Sequence, residues 1–136
     1  MKPAFLLLLG LLTAIFSCRK DVAPASADPL YRRWQAIESR ETGGSWQAVT
    51  TTGSLEFRPD GQIRYESYPT PPCCVPLRVE RNEDRLRGTE YSNEGRCALI
   101  NCALLREMRI LQISDNSLIL QHDYENRLME VRYRAL

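Results

Sequence analysis

The strongest constraint on the fold is SLEFRPDGQIRYESY, residues 54–68, where apolar side chains recur at every second position on both sides of a turn signal. Leu55 and Phe57 precede Pro59-Asp60-Gly61, and Ile63 and Tyr65 follow it. Proline presets φ, aspartate bonds nearby backbone, and glycine tolerates the left-handed region, so this tripeptide suits a tight reversal. Period two puts the four apolar side chains on one face. The segment reads as a β-hairpin with one buried side.

The pattern recurs along the chain. In PLRVERNEDRLRGTEY, Leu77 and Val79 alternate with Arg78 and Glu80, a turn falls at Asn82 to Asp84, and the chain returns through Leu86. RILQIS turns at Asp115-Asn116 into SLILQHD, which turns at Tyr124 to Asn126 into RLMEVRYR. Consecutive hairpins make a meander. With Tyr31 to Arg40 and a short strand around Trp46 added, the expectation is about eight or nine strands and no long helix. A meander of that length curls, because twist accumulates and open edges invite aggregation. The expected fold is all-β, an antiparallel up-and-down barrel of about eight strands. RCALINCALLREM, residues 96–108, is ambiguous, since its spacing also fits a helical turn.

Ahead of this domain the chain has a different character. MKPAFLLLLGLLTAIF places Lys2 before an apolar run from Ala4 to Phe16, the pattern of a secretory signal and too short for a bilayer-spanning helix of roughly 20 residues. The next residues, Ile15-Phe16-Ser17-Cys18, resemble the lipobox of bacterial lipoproteins, in which the cysteine is diacylated and becomes the first mature residue. Cleavage after Ala25-Ser26-Ala27 is the competing reading, and it would leave Arg19, Lys20 and Asp21 between the apolar run and the cut. Residues 18–28 are small, polar and proline-containing, as in a flexible tether. The expected organisation is therefore a signal peptide over residues 1–17, a tether over 18–28 and one domain over 29–136. Two or more acyl chains on Cys18 would hold the protein to a membrane.

LYRRW near the start of the domain, LEFRPDGQIRYES and the closing LMEVRYR resemble the small lipocalin-like lipoproteins of Gram-negative bacteria. The resemblance implies a lipid-anchored protein of the cell envelope, at the outer membrane, with a lipocalin-like barrel. It also implies that Trp34 packs against Arg134 or Arg132 of the last strand to close one barrel end. The wider lipocalin family places glycine two residues before that tryptophan, where this chain has Arg32. A core-filling role for Trp34 stands beside the closing role.

Four further cysteines, Cys73, Cys74, Cys97 and Cys102, form an even set in an exported chain and so read as two disulfides. Adjacent cysteines seldom pair with each other. Cys73 and Cys74 would each bond one of Cys97 and Cys102, in either of two ways. A four-thiolate zinc site is the alternative, with poor spacing for it, so no metal is expected.

Chemistry has little support. The single histidine, His122, shares a strand face with Leu118 and Leu120 and reads as wall or rim, and Glu83 and Asp84 fall in a turn. No nucleophile elbow, phosphate loop or zinc-protease motif occurs, so no enzyme and no cofactor are expected. A formal net charge of +1 gives no case for nucleic acid. Two function classes follow. An eight-stranded barrel holds core side chains or one small apolar ligand, which makes a binding module the first reading. A protein-interaction role, as an envelope assembly factor or enzyme inhibitor, is the second, with the rigid loop YPTPPCCVP as a surface or simply a stiff connector.

Overall fold

The computed structural model describes residues 28–50, 53–67, 73–92, 95–101 and 103–136. The signal peptide, Cys18, nearly all of the tether and Cys102 lie outside the described residues. The described chain forms β1 (Arg33–Glu41), β2 (Gln47–Ala48), β3 (Ser54–Phe57), β4 (Ile63–Glu66), β5 (Pro76–Asn82), β6 (Arg85–Tyr91), β7 (Glu107–Ile113), β8 (Ser117–Tyr124) and β9 (Arg127–Ala135). A short 3-10 helix, Gly95–Leu99, precedes β7 and settles the ambiguous stretch: one tight helical segment, then irregular chain up to the strand.

All pairings are antiparallel, in the order β4-β3-β1-β9-β8-β7-β6-β5. The short β2 takes the second half of the β1 edge, where Ser39 faces Gln47, while β3 takes the first half, where Trp34 faces Leu55. β2 and β3 thus act as two pieces of one interrupted strand. Around the barrel every neighbour is sequential, with the last strand returning to the first. The closure is nearly complete. Between β4 and β5 the only bridge is Gln62 opposite Arg78, among the described residues.

Turn chemistry explains the reversals. Glu125 and Asn126 lie at φ +50° and +64°, the pair of left-handed residues that a two-residue hairpin needs to match strand twist. Between β7 and β8, the Ser114 hydroxyl accepts the N–H of Ser117 at 3.1 Å. Gly61, at φ +83°, ends the first-read turn.

Alternation fills the inside. Leu30, Trp34, Leu55, Phe57, Ile63, Val79, Leu86, Met108, Ile110, Leu118 and Leu120 form one buried cluster. Each such side chain contributes roughly 1.5–3 kcal/mol relative to exposure, so this single core accounts for the cohesion of the domain. A bulge in β1 decides what else enters. The register passes from Ala36 opposite Tyr133 to Glu38 opposite Arg132, skipping one residue. Without that skip, Glu38 and Arg40 would share the face of Trp34. With it they face outward, and the core stays apolar.

The chain enters at the barrel end formed by the β3–β4, β5–β6 and β7–β8 turns. There Leu30 is buried, and its carbonyl accepts the indole N–H of Trp34 at 3.0 Å. The Asp28 carboxylate accepts the Leu30 N–H at 3.0 Å and pairs with Arg81, while Arg32 pairs with Asp115 at 3.3 Å. The end of β5 and the β7–β8 turn are thereby tied to the entering segment, which plugs this end.

Candidate functional site at the disulfide-clasped end

The opposite end carries the connections from β4 to β5 and from β6 to β7, whose described residues include 73–75 in the first and 95–101 and 103–106 in the second. They are joined covalently by Cys73–Cys97, with Cα atoms 5.2 Å apart. Cys74 is also disulfide-bonded. Cys73 and Cys97 are therefore not available as thiolates for the four-cysteine zinc site. A hydrogen bond backs the crosslink, from the Leu105 N–H to the Cys74 carbonyl at 2.8 Å. Cys74 lies at φ +74°, a conformation costing a non-glycine residue about 1–2 kcal/mol, and these bonds hold it there.

Two tyrosines fasten the same loops to the barrel. Tyr91 donates its hydroxyl to the Leu105 carbonyl at 2.9 Å, and Tyr65 donates to the Pro76 carbonyl at 2.8 Å. The first requires Gly88, because a Cβ there would lie 2.1 Å from the Tyr91 hydroxyl oxygen. Leu105 turns inward onto the core cluster. Its neighbour Leu104 is exposed, as are Ile100 and above all Leu99, at 87%. Tyr124 and Leu128, flanking the β8–β9 turn at this end, are exposed too. Hydrophobic side chains thus stand exposed on the loop that carries Cys97 and beside the β8–β9 turn at the same barrel end.

By contrast the barrel axis is occupied. Trp34, Leu86 and Leu118 are fully buried and Leu120 is 1% exposed. Empty space lies at the ends. A cleft of about 240 Å³ beside the plug has Leu30, Phe57, Val79 and Leu86 among its lining and Arg58 and Arg81 at its margin. Another, of about 280 Å³, lies under the β1–β2 loop and is lined by Ser39, Arg40, Glu41 and Gln47 with Arg127 and Met129.

The expected pair of Trp34 with Arg134 is not formed. Trp34 sits opposite Ala135, so the pleat sends Arg134 to the other face, where it holds the Gln35 side-chain carbonyl at 2.8 Å. Arg132 also faces outward and pairs with Glu38. The cation nearest the Trp34 ring is Arg32, 5.8 Å from its centroid, on the residue where lipocalins have glycine. Trp34 is itself fully buried, the core-filling role.

Arg132 instead meets Trp46, whose ring centroid is 4.1 Å from its guanidinium and 4.2 Å from that of Arg40. Arg40 continues to Glu130, 2.6 Å away and buried, whose other oxygen accepts from Thr42 at 3.1 Å and Gln121 at 3.4 Å. Burial raises the pKa of Glu130, but Arg40, Thr42 and Gln121 outweigh it and hold the carboxyl below its usual range. The cluster ties β2 and the β1–β2 loop to the outer wall. Sequence reading missed it because its members are spread over four elements, and only the bulge brings them to one face.

His122 lies on the inner face, opposite Met108 and Met129 of the flanking strands. Burial lowers its pKa, partly offset by Asp123. Glu83 and Asp84 occupy the β5–β6 turn as expected, and the Arg109 guanidinium, 2.6 Å away, holds Asp84 below the usual carboxylate range. Neither acid lies at the disulfide end.

These features define a nearly closed, antiparallel eight-stranded barrel with a packed interior and a crosslinked loop end. No protein-family model matches the chain, and neither a curated protein nor a solved structure is similar to it.

Proposed function

We propose that the protein is a lipid-anchored binding protein of the bacterial cell envelope, held at the outer membrane through Cys18, whose lipocalin-like barrel engages a protein partner with its disulfide-clasped end. The observation that carries the reading is the contrast between the two regions: core side chains fill the axis, while Leu99, Ile100 and Leu104 are displayed on a loop pinned by Cys73–Cys97. A rigid apolar surface binds without losing loop entropy, which is the use such a clasp has beyond stability. The role is non-enzymatic. The described cysteines are oxidised, and His122 faces methionines rather than a nucleophile.

A photocrosslinking residue at position 99, compared with one at exposed Leu136 on the plugged end, tests this in the native host. Adducts of one discrete mass from position 99 alone are expected. Equal yields from both positions, or none from position 99, would refute it. A small apolar ligand is the second reading, favoured by the cleft floored by Leu30, Phe57, Val79 and Leu86. Native mass spectrometry of protein from its host distinguishes the two: co-purified lipid supports the ligand, a stoichiometric protein the partner.

A further inference from the structure

We infer that the inner wall of the barrel, at its disulfide-clasped end, binds a soft monovalent metal ion, Cu(I), between the thioethers of Met108 and Met129 and the imidazole of His122. Apart from Met1, the chain has two methionines, and it has a single histidine. Strand register puts all three side by side. Met108 of β7 lies directly opposite His122 of β8, whose neighbour on the other side is Met129 of β9.

Directly opposite residues share a face and have Cβ atoms roughly 5 Å apart. This face is the inner one, since Leu118 and Leu120, both buried, lead to His122 at period two. The wall curves around the barrel axis, so the tips of inward side chains stand closer together than their Cβ atoms. Unbranched thioethers on both sides can therefore lean onto the ring between them.

The surroundings select the ion. Met108 is 7% exposed, and the residue opposite it on the far side is fully buried Leu86. His122 and Met129 are half-buried, and Met129 lines the cleft of about 280 Å³ under the β1–β2 loop, which gives an ion a way in. Neither imidazole nitrogen has a hydrogen-bond partner among the described residues. A neutral imidazole keeps one nitrogen as an acceptor, and so as a ligand. Two thioethers and one imidazole carry no charge, and thioether sulfur favours Cu(I) over harder cations. Zn(II) draws on thiolates and carboxylates as well as imidazole. Here Cys73, Cys74 and Cys97 are oxidised, and the acid that continues the row beyond Met129, Glu41, is exposed. The site makes no use of Leu99, Ile100 or Leu104 and does not depend on a docked protein partner.

The test uses residues 18–136, which keep every described residue, with Cys18→Ser so that this thiol does not compete for the metal. Cu(I) is maintained with ascorbate and measured by competition with the chromophoric chelator bicinchoninate. One ion per chain is expected. Loss of a ligand should cost more than loss of a group that merely orients one, so Met108→Leu, Met129→Leu and His122→Gln should each weaken binding by at least about tenfold. Leucine nearly conserves methionine volume, so the first two variants should stay folded in denaturant titrations. Should a variant unfold, the wild-type protein decides: Ag(I), a soft ion without redox chemistry, should shift the NMR signals of both methionine methyls and the His122 ring together and saturate at one equivalent. Unchanged affinity in the folded variants, failure to compete with the chelator, Zn(II) bound as tightly as Cu(I), or Ag(I) shifts that leave either methionine unmoved would each overturn the site.

Discussion

The backbone N–H of Val79 donates to the Gly61 carbonyl at 2.8 Å, joining β5 to the β3–β4 turn at the seam where strand pairing otherwise stops. Gly61 makes this approach possible. A Cβ there would lie 2.6 Å from the Val79 carbonyl oxygen, and the residue's φ of +83° disfavours any other side chain. Gly61→Ala is expected to destabilise the domain by roughly 2 kcal/mol and to speed hydrogen exchange at Val79 first. Chemical denaturation with amide exchange measures both, and wild-type stability would show that the seam does not depend on this contact.

The outer cluster should couple two distant parts of the chain. Trp46→Ala removes two cation–π contacts of about 0.5–1 kcal/mol each at partly exposed sites, and Glu130→Gln leaves Arg40 without its counter-charge at a cost of about 1–3 kcal/mol. Because both substitutions act on Arg40, their effects should be non-additive. A double-mutant cycle that sums to the single values would separate the two interactions.

Acid should weaken the fold in two steps. His122 and Glu130 both have lowered pKa values in the folded protein, so the unfolded chain binds the extra proton first and stability falls with falling pH. For His122 the loss begins as pH drops below about 6.5, and for Glu130 below about 4.3, the unfolded values. His122→Gln should remove the upper step and leave the lower one. Denaturant midpoints from pH 8 to 3 test this, with an unchanged upper step as the contrary result.

Peptide mapping without reduction, after thiols are blocked, should recover Cys73 with Cys97 and Cys74 with Cys102. Cys73→Ser with Cys97→Ser releases a crosslink closing 24 residues and should cost about 2–4 kcal/mol. A free thiol at Cys74 in the wild type would refute the second pair.

Metabolic labelling with a fatty-acid analogue should mark the wild type and not Cys18→Ser. Equal labelling of the two would remove the lipid anchor from the proposed function.

Much of the barrel is legible in local pattern. The Leu55–Tyr65 hairpin, the turns at Glu83-Asp84 and Glu125-Asn126, and the meander they create follow from period two and from which residues tolerate reversal, and each depends on neighbours in the chain. The oxidation of Cys73 and Cys97 was legible for the same reason, since parity and adjacency restrict the choices. What tertiary structure alone decided is which face a side chain meets. One skipped residue in β1 turned Glu38 and Arg40 outward and created the Trp46 cluster, and one step along β9 put Ala135 rather than Arg134 opposite Trp34. In a strand the face reverses at every residue, so a single bulge, invisible in composition, reassigns every contact beyond it. Likewise Leu99, Ile100 and Leu104 are exposed on the connection that Cys97 joins to Cys73, while Leu105 packs onto the core, a division set by long-range contacts that no local pattern contains.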